Sequence, residues 1–176
     1  LRLFVSANLF EIFSNTIWVS SIILVFVTEL LNKTESYWGY SNTAYSIGII
    51  ISGLIAFRLS EKFLAAKWES ILFSLVAMAI VTLTILFFPN AQMFLVFSAL
   101  LGMLSQLKEV PETVFLQETV EENNLVNVYS VQEVISSLAF SVFVLLMSYI
   151  TKNFGISISF WISAICLMIE AILIYI

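Results

Sequence analysis

The stretch LFVSANLFEIFSNTIWVSSIILVFVTELL, residues 3–31, runs for 29 residues with only two charged side chains, Glu11 and Glu29. A bilayer core of about 30 Å takes about 20 helical residues at about 1.5 Å each, so this run is long enough to cross one. Its composition is that of the whole chain. Of 176 residues 61% are hydrophobic and 11% charged, with a mean hydropathy of +1.04. Soluble domains carry about a quarter charged residues, so the sequence reads as an all-α membrane protein in a cell membrane, with lipid as its solvent.

Working outward, five further runs meet the same length, giving six expected spans at 3–31, 38–58, 64–88, 91–110, 126–150 and 155–176. Together they form one six-helix bundle. Polar punctuation separates them: Asn32-Lys33-Thr34-Glu35-Ser36, Arg58-Leu59-Ser60-Glu61-Lys62, Pro89-Asn90, residues 117–124 and Lys152-Asn153-Phe154-Gly155. Alternating sides puts Arg2, Arg58, Lys62, Lys67 and Lys108 together, against Lys33 and Lys152. The positive-inside rule then places both termini in the cytoplasm. Tyr37 and Trp38 read as interfacial anchors.

The absences narrow the chemistry. There is no histidine and no aspartate, and Cys166 is the single cysteine. Zinc sites, disulfides and His-activated nucleophiles lack their residues, so neither an enzyme nor a metal or cofactor protein is expected. The net charge of -5 is spread between the apolar runs rather than gathered as a basic groove, so nucleic acid is not an expected partner. The chain begins at Leu1 with no signal-like segment and is expected to belong to something longer.

In the first span Asn8, Glu11, Asn15 and Trp18 recur at spacings of three and four, which sets them on one helical face. Glu11 lies about 12 Å along from Leu3, near mid-membrane, where an ionised carboxylate costs at least ~2.5–3.5 kcal/mol. Such a group needs water, a cation, a hydrogen-bonding partner or a proton. Two roles are open: lining a cavity, where Glu11 takes a coupling proton or pairs with a cationic substrate, or bonding a neighbouring helix for packing alone. Gln106 in the fourth span is open to two roles as well, a cavity wall or a helix–helix hydrogen bond. Lys108 and Glu109 are read as a gate or solvated rim. Glu133 and Gln132, with Ser137 and Ser141, form a polar face on the fifth span, and Glu170 is a further acid on the sixth.

Two packing patterns complete the reading. Ala44, Gly48, Ser52 and Ala56 repeat every fourth residue of the second span, as helices do where a neighbour approaches closely. A shift of 91 residues aligns Asn15 with Gln106, Asn42 with Glu133, Ser46 with Ser137, Ser60 with Thr151 and Phe63 with Phe154. Two three-helix units in an inverted repeat would produce such matches.

The segment Gly53-Leu54-Ile55-Ala56-Phe57-Arg58-Leu59-Ser60-Glu61-Lys62 resembles the signature loop between the second and third helices of a half of a major facilitator superfamily transporter. Gly53, Arg58 and Lys62 match its glycine and basic positions. Phe57, Ser60 and Glu61 depart from it, a degeneracy more usual in the second half of such proteins. Val110–Val120, leading into Asn127-Val128-Tyr129-Ser130, is similar to the join of fourth and fifth helices in exporters of the drug and macrolide type. The resemblance implies the carboxy-terminal half of a twelve-helix protein, whose first and fourth helices line a central cavity shared with the other six-helix half. It implies efflux of small hydrophobic or cationic compounds by alternating access, with proton coupling as one option. A six-helix substrate-binding subunit of a vitamin-type uptake transporter is the alternative, matching the span count but not the two loops.

Overall fold

The computed structural model describes residues 2–58 and 66–175, and these are helical nearly throughout. The first span is α1 (Arg2–Asn15), a 3₁₀ turn (Thr16–Trp18), α2 (Ser20–Val25) and a π turn (Phe26–Leu30). Then come α3 (Ser36–Arg58), α4 (Lys67–Phe87), α5 (Ala91–Thr119), α6 (Glu122–Phe154) and α7 (Ile156–Tyr175). Five of these helices are long and apolar enough to cross a membrane, six when the bent first pair is one span. The chain is a multi-pass membrane protein. Ser60, Lys62 and Phe63, which entered the loop and repeat readings, lie outside the described residues.

The first span breaks where its chemistry competes with the helix. Thr16 Oγ1 donates to the Phe13 carbonyl at 2.6 Å, and Val19 turns extended at ψ 139° before the helix restarts with Ile22 N and Ile23 N on the Val19 carbonyl. The two parts meet at 44°. Buried Phe26, in the π turn, packs its ring 5.0 Å from Phe160 and 5.5 Å from Phe94, joining the first span to α7 and α5. Around it lie Ile17, Ile22, Ile71, Leu75, Ile85 and Leu167, which make the core.

The fourth span ends later than the expected residue 110. Proline lacks the N–H that would bond the carbonyl four residues back, which makes Pro111 a reasonable stop. Here Ser70 Oγ of α4 donates to the Leu107 carbonyl, the one freed by Pro111, at 3.3 Å. The orphan acceptor is met from a neighbouring helix, and α5 runs on to Thr119, roughly 43 Å in all. Asn90 caps its start by accepting from Gln92 N and Met93 N. Gly155, at φ 87°, makes the turn from α6 into α7.

Helix α5 packs against α3 and α4, α7 against α1 and α4, and α6 against α1 and α7. The α3–α5 contact is the tightest, and it depends on two glycines. A Cβ on Gly48 would lie 1.9 Å from the Ala99 carbonyl oxygen, and one on Gly102 would lie 2.1 Å from that of Tyr45. Backbone carbonyls cannot move aside without separating the helices. Ser52 and Ala56, from the same small-residue stripe, are buried, while Ala44 is half-buried.

Gly48→Ala and Gly102→Ala are each expected to destabilise the protein by about 1–3 kcal/mol, the cost of overpacking. Gly53→Ala, with nothing within 4 Å of its Cβ, should stay within about 0.5 kcal/mol of wild type. Thermal denaturation in detergent, followed by fluorescence-detected size exclusion, separates the two groups.

Candidate functional site

Lys108 stands on the face of α5 turned toward α1 and α7, three turns before the helix ends, and is only 1% exposed. Its ammonium has three donors and no acceptor, so burial requires acceptors around it. Three helices supply them. Glu11 Oε2 of α1 lies at 2.5 Å, Glu112 one turn along α5 at 2.9–3.0 Å, and Glu170 Oε1 of α7 at 3.2 Å. Glu170 is as buried as the lysine, and among the described residues its Oε2 has no hydrogen-bond partner.

With every group ionised, one positive charge faces three negative ones, an excess of two. A buried pair balances desolvation against attraction, and a cluster with surplus charge of one sign sits on the costly side of that balance. Proton or cation uptake reduces the surplus. The arrangement is therefore chemically suited to exchange positive charge with whatever reaches it.

A cavity of about 330 Å³ reaches it. Asn8, Glu11 and Asn15 line one wall, Ser105, Lys108, Glu109 and Glu112 another, and Tyr45, Tyr129 and Gln132 close the sides. Tyr45 Oη donates to Ser105 Oγ at 2.9 Å, tying α3 to α5 at the rim. A second cavity, about 240 Å³, adjoins it at Asn15 and Tyr45, which line both, and is bounded by Trp18, Trp38, Asn42, Met78 and Ser98. The stripe read on the first span thus faces cavity throughout, with Asn8 and Glu11 at the polar end and Trp18 at the aromatic one.

Other expected residues fall elsewhere. Gln106 lines a shallow hollow with Val110 and Val114 that shares Glu109 and Thr113 with the polar cavity, and it does not line the polar cavity itself. Gln132 reaches the polar cavity, but Glu133 is exposed on α6, where it accepts from Ser137 Oγ at 3.4 Å. Gly53 lies within α3 and Arg58 is exposed at its end. Trp38 is half-buried beside the second cavity, and among the described residues its Nε1 meets no acceptor. Lys108 is the largest departure, since the expected rim residue is the centre of the cluster. Its i, i+4 spacing to Glu112 was the available signal. Among the described residues no group of metal-ligating side chains is assembled.

The Major Facilitator Superfamily model matches residues 4–176. The chain belongs to this superfamily. It is similar to two Bacillus subtilis (strain 168) proteins, the uncharacterized MFS-type transporter YfmI, 28% identical over 98% of this chain, and the uncharacterized MFS-type transporter YjbB, 29% identical over 95%. It spans 42% and 41% of those relatives, somewhat under half of each. No solved structure matches it.

Lys108→Ala leaves three carboxylates facing one another and is expected to cost about 3–5 kcal/mol. Adding Glu11→Gln to that variant should restore part of the loss by removing one of the unpaired charges. Lys67→Ala, which breaks an ion pair with the exposed Glu118, should cost about 0–1 kcal/mol. Melting of the purified variants in detergent checks all three.

Proposed function

We propose that the chain is the second six-helix half of a secondary transporter that exports small hydrophobic or cationic compounds by alternating access, with Glu11 taking part in proton coupling. The observation that carries this is the Lys108 cluster: a buried cation shared by three carboxylates at the wall of a cavity large enough for a small molecule. Intramembrane charges are costly and are kept where they serve a substrate or ion path. A proton arriving at Glu11 weakens its hold on Lys108, which keeps Glu112 and Glu170 as partners. That gives the α1–α5 contact a state with the ion pair and a state without it.

Helix pairing supports a three-plus-three inverted repeat within this half. Exchanging the first three spans for the last three converts the α3–α5 contact into α6–α1, and α4–α5 into α7–α1, while α4–α7 maps onto itself. Exposed apolar residues on α3 (Tyr40, Ile47, Leu54) and α6 (Val131, Leu138, Leu145) would meet lipid and the other half. By the charge count of the loops, both termini lie in the cytoplasm.

The full-length protein in liposomes, given a pH gradient, is expected to move ethidium against its concentration gradient. Glu11→Gln should lower gradient-driven movement about tenfold or more, the size of a lost charge-assisted interaction. Ethidium exchange without a gradient should persist. Equal gradient dependence in wild type and variant sinks the role given to Glu11.

A further inference from the structure

The three acids on Lys108 do not share one environment. Glu11 and Glu112 line the polar cavity, with 16% and 12% of their side-chain surface exposed. Glu170 comes from the opposite side, on α7, does not line that cavity and is 1% exposed. The contacts differ too. Lys108 Nζ lies 2.5 Å from Glu11 and 2.9 Å from Glu112, at or below the ~2.9 Å usual for a charged pair, but 3.2 Å from Glu170 Oε1. Glu170 Oε2 is buried and meets no donor among the described residues.

An ionised carboxylate carries its charge on both oxygens and accepts at both. A sealed one with a bare oxygen leaves part of that charge unmet in an apolar medium. In a neutral carboxylic acid Oε2 is instead a hydroxyl, and an unmet hydroxyl costs far less than an unmet charge. The surroundings press the same way. The charged groups facing Glu170 are Lys108 and Glu112 from α5 and Glu11 from α1, one positive and two negative, and the lysine is held closer by the other two. The helices α4 and α6 also pack on α7. Of their charged side chains Lys67 is bonded to Glu118, while Glu69, Glu122, Glu133 and Lys152 are exposed. On α7 itself Cys166 lies one turn earlier and Tyr175 is exposed at the end.

We infer that Glu170 holds a resident proton: it stands in the cluster as a neutral carboxylic acid, with Oε1 accepting from Lys108 and Oε2 as its hydroxyl. It is a positioning residue, drawing the lysine toward α7 without adding charge. The surplus at the cluster falls from two negative charges to one, so the single proton proposed for Glu11 would bring it to neutrality. The assignment stands on the cluster alone and goes beyond the coupling role given to Glu11.

Infrared difference spectra of the full-length protein in lipid, wild type minus Glu170→Gln, test this through the carbonyl stretch of a protonated carboxylic acid. At neutral pH the wild type is expected to show that band and Glu170→Gln to lose it. If Glu170→Gln does not fold, Glu170→Asp takes its place, and the band should move. A wild type without the band, a folded Glu170→Gln that retains it, or a Glu170→Asp spectrum in which it stays put overturns the assignment. Residence is read from pH: the band should hold constant across the range in which gradient-driven ethidium movement changes. A band that titrates together with the movement makes the proton a travelling one and overturns its residence. Failure of the coupling role is seen separately, as gradient dependence that survives Glu11→Gln while the Glu170 band is present.

Discussion

A lysine ammonium with almost no exposure to solvent is the constraint around which the bundle is arranged. An unpaired charge in an apolar medium is too costly to keep, so Lys108 can stay charged only where acceptors are brought to it. Glu112 is a fixture of its own helix, one turn away. The other two acceptors come from α1 and α7, which must approach α5 at this level for the charge to be held. The first, fourth and sixth spans are thereby tied at one depth, and the polar cavity is the space they leave beside the tie.

Within lipid there is little hydrophobic force to draw these helices together, so their approach depends on small residues and on satisfied backbone. Gly48 and Gly102 let α3 and α5 touch backbone to backbone. Ser70 meets the carbonyl that Pro111 leaves free, so α5 continues without a stop one turn from Lys108. The break at Thr16–Val19 does the converse in the first span, ending a helix where the lining changes from carboxylate and amide to indole. Irregular backbone of this kind is tolerated at membrane depth where it is buried in protein or borders a cavity.

What the sequence disclosed follows from which relations are local. The six apolar runs, and the stripe of Asn8, Glu11, Asn15 and Trp18, are set by a period of 3.6 residues and could be read directly. The partner of Glu11 could not, because Lys108 is 97 positions away and only packing brings them together. Gln106 and Lys108 are two residues apart, about 200° around a helix, so only one can face α1. Gln106 is the residue that the resemblance puts on the cavity face, and the three carboxylates that gather on Lys108 instead lie on three different spans. Pro111 misled in the same way, since the hydroxyl that rescues its carbonyl belongs to another helix. Trp38 stands at a span end, where anchors are common, and its place in the lining of the second cavity depends on packing that is not local.

Glu11 is not the only tie between α1 and its neighbours, and the second tie limits what its release can do. Ser14 and Ser163 Oγ lie 2.6 Å apart, and Ser163 Oγ is 3.1 Å from the Ser14 carbonyl, so α1 is bonded to α7 one turn beyond Glu11 whatever the charge state of the cluster. On the role proposed for Glu11, a proton there would weaken the α1–α5 ion pair and leave the α1–α7 bonds in place. The contact that changes is the one between the two walls of the polar cavity, with Asn8 and Asn15 on one and Ser105 and Glu112 on the other. Trp18 has a separate contact, its ring 6.0 Å from Phe160 of α7, so that wall of the aromatic cavity does not depend on the Lys108 ion pairs. The proposed charge event would thus act on the polar cavity, which adjoins the aromatic one at Asn15 and Tyr45.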